Sequence, residues 1–335
     1  MSTDKKNYNS PVQATLTGIL NLFRKRSRVG FLSSAERLDG KKILIDGASS
    51  GLGLATAIEL AKLGGTVIMA VRSGFPEKAE EVKKKANSEN VFIHQVDFSD
   101  FSSIKNLVNE VKNQHGKLDI IILNAAVVAK KGTQTKSGLE TMFMVNYLSK
   151  FWFIQQLLKN DCFNTVPVQT PRIIFVTSES HRNAKEFNWK NFGAFIPHGV
   201  GKTVELYGYY KLLLVTFARE LSRRLNSEGT NYSIFALCPG PVNSNIAREA
   251  PWIFKPLLRL VFFLFFRSPK KASEPVVYHA ASNQQEGKPF DYLFLMERKA
   301  IDEKAEDLKN GEKLWKLSEE LLKKLKVNEI YSQIE

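Results

Sequence analysis

An α/β fold with a doubly wound parallel sheet is predicted by the pattern of this chain between residues 41 and 238. Short apolar runs alternate there with longer segments of helical periodicity. The short runs are apolar throughout, which is typical of parallel strands that are covered on both faces. A glycine-rich turn joins the first run directly to the first helical segment, as in a strand–helix–strand unit.

The strands and helices follow one another along the chain. Each strand prediction depends on a short run of apolar residues, and each helix prediction on apolar residues that recur every three or four positions. The predicted strands are 42–46, 66–71, 91–96, 118–124, 172–177 and 232–238. The predicted helices lie near 53–63, 77–87, 102–115, 138–159 and 207–225. A helix at about 270–283, a short strand at 292–295 and an amphipathic helix at about 304–326 complete the chain.

These elements divide the chain into three parts. Residues 1–38 are an N-terminal appendage, residues 39–300 a single domain that includes an apolar segment at 251–268, and residues 301–335 a C-terminal basic helix. No interdomain linker is visible after residue 40. At 335 residues, of which 43% are apolar, the chain is long enough to build one large α/β core.

The turn between the first strand and the first helix carries glycines at positions 47, 51 and 53, in the spacing GxxxGxG. Glycine allows a sharp turn and lets backbone N–H groups approach a ligand closely. The following helix presents unpaired N–H donors and the positive end of its dipole to an anion, typically a pyrophosphate. The alternative is a tight connection between strand and helix that binds nothing.

The cysteine content and the lengths of the apolar runs indicate the cellular compartment of the protein. Cys162 and Cys238 are the chain's two cysteines, which is too few for a disulfide framework and fits a reducing environment. We find no pattern of a secretory signal, and no stretch reaches the ~20 apolar residues of a membrane-spanning helix. A cytoplasmic protein is therefore expected.

The formal net charge of +14 indicates an anionic partner: nucleotide phosphates, acidic lipid headgroups or nucleic acid. A soluble surface rich in lysine would give the same charge. Nucleic acid is not the expected partner, because the chain carries no recognition motif and no aromatic residues lie among its basic clusters. No metal site is predicted.

Two segments have the pattern of helices that lie on a membrane surface. In the N-terminal appendage, apolar residues recur at helical spacing and a basic cluster follows them. Within 251–268, the run 257–266 has Arg259 as its only charge, and Trp252 and several basic residues flank it. Both patterns predict peripheral membrane association. The alternatives are a helix packed on its own domain or in the interface of a homodimer.

Tyr207 and Lys211 are four residues apart at the start of a predicted helix, so their side chains share one face. An ammonium beside a buried tyrosine favours the phenolate and lowers the tyrosine pKa. Such a phenol can exchange a proton with a substrate alcohol or carbonyl oxygen. Tyr209 and Tyr210 lie at the wrong offset and are interpreted as packing residues.

Ser178 follows the strand 172–177, so its hydroxyl is expected at the ligand edge of the sheet. It can hydrogen-bond a reacting oxygen, or it can cap the next turn, and Ser180 is the rival candidate. Asn146 lies in a predicted helix, where a buried amide is costly unless its hydrogen bonds are used.

Together these motifs resemble a classical short-chain dehydrogenase/reductase, and within that family the retinol dehydrogenase-like enzymes. The elements that carry the resemblance occur in the family's order over about residues 40–245. They are 47–53, 123–126, Asn146, Ser178, Tyr207 with Lys211, and 238–244. The likeness to retinol dehydrogenases depends on 70–72, the long stretch between Ser178 and Tyr207, 219–225 and 314–318.

The resemblance implies a Rossmann fold and a role for each matching residue. Tyr207 is implied to be the general acid/base, and Lys211 to hold the nicotinamide ribose and lower the tyrosine pKa. Ser178 would orient the substrate oxygen, and Asn146 would hold a water in a proton relay. The other implied cofactor contacts are Gly47, Ser49, Ser50, Gly51, Leu52 and Gly53 in the turn, Asp97 at adenine, Asn124 and Ala125 at the adenosine ribose, and Pro239, Val242 and Ser244 at nicotinamide.

Two elements, with three positions between them, depart from the family's pattern. Asp46 stands where the family usually has threonine, and a carboxylate near the phosphates lowers affinity unless loop N–H groups bind it. Leu123 and Ala126 replace an asparagine and a glycine of the NNAG-type element. We interpret these two replacements as variations that leave the activity intact.

The residues at the end of the second strand indicate whether NAD or NADP is the cofactor. An acidic residue there would bind the 2′-hydroxyl of NAD and repel a 2′-phosphate. Val71 occupies that place and Arg72 follows, which supplies a cation for the phosphate. The sequence therefore favours NADP (NADPH), unless Arg72 is only a solvated loop residue.

The resulting hypothesis is an NADP-dependent oxidoreductase that acts on a small hydrophobic alcohol or carbonyl compound, such as a retinoid, a steroid or another lipid. One alternative is a quinone or C=C reductase on the same scaffold. Another is a non-catalytic NADP(H)-binding protein, although the complete set of Ser178, Tyr207 and Lys211 argues against it.

Overall fold

The computed structural model describes residues 28–165, 170–227, 231–242 and 267–327. Within these ranges eight strands form one sheet. They are β1 (Lys42–Asp46), β2 (Thr66–Val71), β3 (Val91–Gln95), β4 (Ile120–Leu123), β5 (Arg172–Val176), β6 (Ser233–Cys238), β7 (Phe290–Phe294) and β8 (Glu297–Arg298). The six central strand predictions are confirmed to within two residues at each end, and β8 was not predicted.

The strand order is β3-β2-β1-β4-β5-β6-β7-β8. All neighbours are parallel except β7 and β8, which pair antiparallel. The order reverses between β1 and β4, where Ile43 pairs with Ile120. In a doubly wound sheet this point opens a crevice at the carboxyl ends of the strands, where ligands bind. The predicted fold class is thus confirmed.

Helices cover both faces of the sheet, as short parallel crossovers require. They are α1 (Gly51–Lys62), α2 (Glu77–Ala86), α3 (Phe101–Glu110), α4 (Thr141–Phe143), α5 (Ser149–Lys159), α6 (Val200–Ser227), α7 (Pro269–Ala281), α8 (Glu303–Glu306) and α9 (Leu308–Lys324). Two π-helical turns, Val111–His115 and Met144–Leu148, interrupt segments that the sequence predicted as continuous helices. Helix α6 begins at Val200 and not near Tyr207, so Tyr207 and Lys211 lie inside the helix and not at its start.

The strands build two apolar layers because successive side chains point to opposite faces. Leu44 of β1 belongs to the layer under α3 and α6, whereas Ile43 and Ile45 belong to the layer under α1 and α7. The central strands are buried along their whole length, which explains why their sequences are apolar throughout.

Both predicted flanking parts contact the domain where the structure describes them. Leu38 is buried, and its N–H donates to the carbonyl of Leu63. At the other end, Trp315 of α9 packs edge-on against Phe151. Residues 1–27 and 328–335, and with them the predicted N-terminal membrane-surface helix, lie outside the described residues. None of the helices in the described ranges is long and apolar enough to cross a membrane.

Candidate active site

The glycine turn after β1 has the geometry of a phosphate-binding loop. Gly47 and Gly51 have positive φ angles of 65° and 56°, which favour glycine. A Cβ on Gly53 would lie 2.3 Å from the carbonyl oxygen of Gly47, so a side chain does not fit there. Helix α1 begins at Gly51, and its N-cap residue Ser50 makes no side-chain capping hydrogen bond. The first-turn N–H groups are therefore directed at a space that suits an anion.

The turn after β4 packs directly on the glycine turn. The side-chain amide of Asn124 donates to the carbonyl oxygens of Asp46 (3.0 Å) and Gly47 (3.2 Å). A Cβ on Gly47 would lie 2.9 Å from Cα of Ala125. Asn124 and Ala125 thus lie beside the glycine turn at the reversal of strand order, and their implied contact with the adenosine ribose stays a prediction.

Asp46 does not point to the phosphate-binding turn. Its Oδ1 accepts hydrogen bonds from the N–H groups of Asn124 and Ala125, both at 2.5 Å, and its Oδ2 lies 2.5 Å from Nζ of Lys150. Loop N–H groups and an ammonium therefore bind this carboxylate. This is the condition under which the sequence analysis expects no loss of cofactor affinity.

Asn146 lies in the π-helical turn Met144–Leu148 and is fully buried. Its Oδ1 accepts from the N–H of Val127 (2.8 Å), and its Nδ2 donates to the carbonyl of Val127 (2.9 Å). The buried amide therefore uses its hydrogen bonds, as expected, and it does so on the loop that continues from Asn124. Its implied role in a water relay stays a prediction.

Tyr207 and Lys211 share one face of α6, which points to the carboxyl ends of β5 and β6. Nζ of Lys211 lies 5.7 Å from the ring centroid of Tyr207 and donates to the carbonyl of Val176 at 2.9 Å. Burial lowers the pKa of Lys211 to about 8; the ammonium of Lys150 adds to this lowering, and the carboxylate of Asp46 opposes it. The backbone bond holds the lysine at the end of β5.

The expected lowering of the Tyr207 pKa is wrong for the protein alone. Burial raises the pKa of Tyr207 well above its ordinary value, and the neighbouring Cys238 adds to this effect. The physical reason is distance: the Lys211 ammonium is bound to Val176 and does not contact the phenol oxygen. The loss of hydration then outweighs the attraction to the cation.

Ser178 follows the end of β5 and is half-buried. Its hydroxyl accepts a hydrogen bond from the N–H of Ser180 at 3.2 Å, so it caps the short 3₁₀ turn Glu179–Asn183. Ser178 therefore caps the next turn, which is one of the two roles that the sequence analysis considered. Its hydroxyl proton is not used in this bond and can still be donated to another group. A Cβ on Gly208 would lie 2.7 Å from the carbonyl oxygen of Ser180, so the glycine lets α6 approach this turn and brings Tyr207 next to it.

The remaining predicted contacts that the structure describes follow the ends of β2, β3 and β6. Asp97 is half-buried, and its Oδ1 accepts from the N–H and hydroxyl of Ser99. Arg72 is exposed after β2, with no hydrogen bond or ion pair to another described residue. Pro239 is buried after β6, and Val242 bridges to Arg267. Ser244 and residues 251–266 lie outside the described residues.

His181 is a fully buried histidine beside Ser178 that the sequence analysis did not single out. Its Nδ1 lies 2.7 Å from the carbonyl of Ser178, and its Nε2 accepts from the N–H of Asp302 at 3.3 Å. A carbonyl only accepts, so the proton is on Nδ1 and the ring is neutral. Burial lowers the pKa of His181 to about 4, in agreement with this state. The sequence could not predict this arrangement, because the histidine's partner Asp302 is 121 residues away in the chain.

Comparison with known proteins supports this geometry. The sequence matches the profile described as short chain dehydrogenase over residues 41–194. Retinol dehydrogenase 14 of Mus musculus is 32% identical over 305 residues, which cover 86% of this chain and 88% of that protein. This chain belongs to the classical short-chain dehydrogenase/reductase family.

Further relatives of this short-chain dehydrogenase agree in coverage and fold. Retinol dehydrogenase 13 of Mus musculus is 30% identical and covers 93% of this chain and 92% of its own length. The crystal structure of an uncharacterized protein from Mycobacterium paratuberculosis is 24% identical, with a TM-score of 0.67, and covers 88% of this chain and 98% of its own. The short-chain dehydrogenase is thus an oxidoreductase of a family that binds nicotinamide cofactors, and it is similar to retinol dehydrogenases.

Proposed function

We propose that this short-chain dehydrogenase is an NADP-dependent enzyme that transfers hydride between nicotinamide and a hydrophobic alcohol or carbonyl compound. The observation that carries the proposal is the convergence of Ser178, Tyr207 and Lys211 at the carboxyl edge of the sheet, near a glycine turn in which Gly47 and Gly53 have no space for a Cβ. The glycine turn and the first turn of α1 fit a pyrophosphate, and the cofactor supplies the hydride chemistry.

The chain's own residues move the proton and orient the substrate. Tyr207 donates a proton to a carbonyl oxygen, or accepts one from an alcohol, as the hydride moves. In the proposed mechanism Lys211, which lies on Val176 in the protein alone, holds the nicotinamide ribose with its ammonium. Ser178 donates its hydroxyl proton to the reacting oxygen while its own oxygen stays bound to Ser180.

The substrate class follows from the relatives and from the sequence together. Two relatives that cover most of the chain are named retinol dehydrogenases, and retinoids are long apolar alcohols and aldehydes. The apolar segment 251–268 follows the Pro-Gly element of the sequence. An apolar segment at that place suits a hydrophobic substrate better than a sugar or an acid.

A substrate panel tests the proposed activity. We expect NADPH consumption with retinal, steroid ketones or fatty aldehydes, and none with Tyr207→Phe protein as the matched control. Consumption with quinones alone would assign the chain to the quinone reductases. NADPH binding without turnover on any panel member would make it a non-catalytic NADP(H)-binding protein.

We further propose that residues 251–268 hold the enzyme on a membrane surface, next to its substrate. The run 257–266 is too short to span a bilayer, which needs about 20 apolar residues. Basic residues flank it, and each basic residue near anionic lipid contributes about 1 kcal/mol. A second copy of the chain is the alternative occupant of this apolar surface.

Vesicle flotation tests the proposed membrane contact. The wild-type protein should float with anionic vesicles, and changing Phe262, Phe263, Phe265 and Phe266 together to Ser should release it, because apolar insertion is lost. Phe75→Ser is a control, since Phe75 is an exposed phenylalanine that lies outside this segment in the sequence. Equal flotation of the wild type and the fourfold variant would contradict the proposal, as would failure of the wild type to float.

A further inference from the structure

A buried ion pair lies beside the glycine turn, between Asp46 at the end of β1 and Lys150 at the start of α5. The two side chains are 0% and 1% exposed, and Nζ of Lys150 also lies 3.7 Å from the ring centroid of Phe98. Burying two charges costs hydration, and an apolar pair of similar size is often at least as stable. Stability alone therefore does not explain this pair.

The second oxygen of Asp46 connects the pair to the candidate cofactor site. Oδ1 accepts the N–H groups of both Asn124 and Ala125, and the Asn124 amide in turn donates to the carbonyl of Gly47. The two turns also pack closely, since a Cβ on Gly47 would lie 2.9 Å from Cα of Ala125. Asp46 thus fixes the turn after β4 against the glycine turn.

Lys150 follows Asn146 by four residues, so the two side chains lie on the same side of this helical segment. Asn146 holds both backbone groups of Val127. The π-helical turn and α5 therefore hold the loop 124–127 at both ends: Asn146 directly at Val127, and Lys150 through Asp46 at Asn124 and Ala125.

We propose that Asp46 and Lys150 are positioning residues for the dinucleotide. Asp46 sets the distance between the two turns that line the phosphates and the adenosine ribose. Lys150 neutralises the carboxylate, so that Asp46 does not repel the pyrophosphate across a short path through protein of low dielectric. The inference rests on the proposed function, because it concerns the same cofactor site.

A matched pair of neutral variants tests the positioning role. D46N/K150M and D46L/K150M both lack the ion pair, and only the first keeps an oxygen acceptor at position 46. We expect the NADPH Kd of D46N/K150M to stay within about threefold of wild type and that of D46L/K150M to rise at least ~10-fold, since two N–H groups lose their acceptor. The KM for NADPH should follow the Kd, while the KM for the carbonyl substrate stays unchanged.

The single variant K150M tests the neutralising role. It leaves the carboxylate of Asp46 without its cation, so its NADPH affinity should be lower than that of D46N/K150M, and the second substitution should rescue it. Kd is measured by NADPH fluorescence, and the melting temperature of the cofactor-free chain shows which variants fold. If D46L/K150M or K150M does not fold, the other comparison decides. If D46N/K150M, which both comparisons share, does not fold, K150M is compared with wild type, and an unchanged Kd then overturns the proposal.

Two results would overturn the positioning role while wild type binds NADPH: equal Kd values for the two double variants, or no rescue of K150M by D46N. Failure of the wild-type chain to bind NADPH is a different result. It would overturn the proposed function itself.

Discussion

Replacing Tyr207 with phenylalanine should lower kcat by about 10²- to 10⁴-fold, because the substitution removes the proposed general acid/base and no other group. The Tyr207 hydroxyl makes no hydrogen bond to another described residue, so its loss leaves no buried partner unsatisfied. Lys211 keeps its bond to Val176. The melting temperature and the NADPH Kd should therefore stay near wild-type values while turnover, measured as NADPH consumption, falls.

Tyr209→Phe is the matched control for this experiment. Tyr209 lies on the same helix, is half-buried, and its hydroxyl accepts a single hydrogen bond from the N–H of Asn188 at 3.3 Å. Its kcat should remain close to that of wild type. A Tyr207→Phe enzyme with wild-type kcat on a good substrate would remove Tyr207 from the mechanism.

Replacing Arg72 with aspartate should weaken NADPH binding by about 10- to 150-fold and NADH binding far less, since hydrogen bonds to charged groups contribute about 1.5–3 kcal/mol. Arg72 is exposed after β2 and makes no bond to another described residue, so the substitution removes no internal contact. Parallel fluorescence titrations with the two cofactors measure the difference.

Arg72→Lys is the control for this prediction, because it keeps the charge while losing the planar, bidentate guanidinium. It should retain most of the preference for NADPH. Equal losses of NADPH and NADH affinity in Arg72→Asp would mean that the residue acts on the structure of the loop and not on the 2′-phosphate.

The fold was predictable because its determinants are local in the sequence. Strands such as Ile120–Leu123 are buried on both faces. Such strands need apolar residues at every position, and the sequence shows these directly. The glycine turn was predictable for a similar reason, since Gly53 has no space for a Cβ and the sequence shows the glycine itself. The interruptions at 111–115 and 144–148 were not predictable, because a π-helical turn keeps the composition of an α-helix.

The sequence by itself determined the family and the fold class, because both depend on residue types at given spacings along the chain. For the same reason it singled out Tyr207, Lys211, Ser178 and Asn146 as candidate site residues. The tertiary structure decided which groups these residues meet. Only folding brings Lys150 to Asp46 and Asp302 to His181. Folding also places the Lys211 ammonium on Val176, away from the phenol, so burial sets the Tyr207 pKa. Burial and charge–charge interactions depend on distances in space, and the residues that folding brings together here are far apart in the sequence.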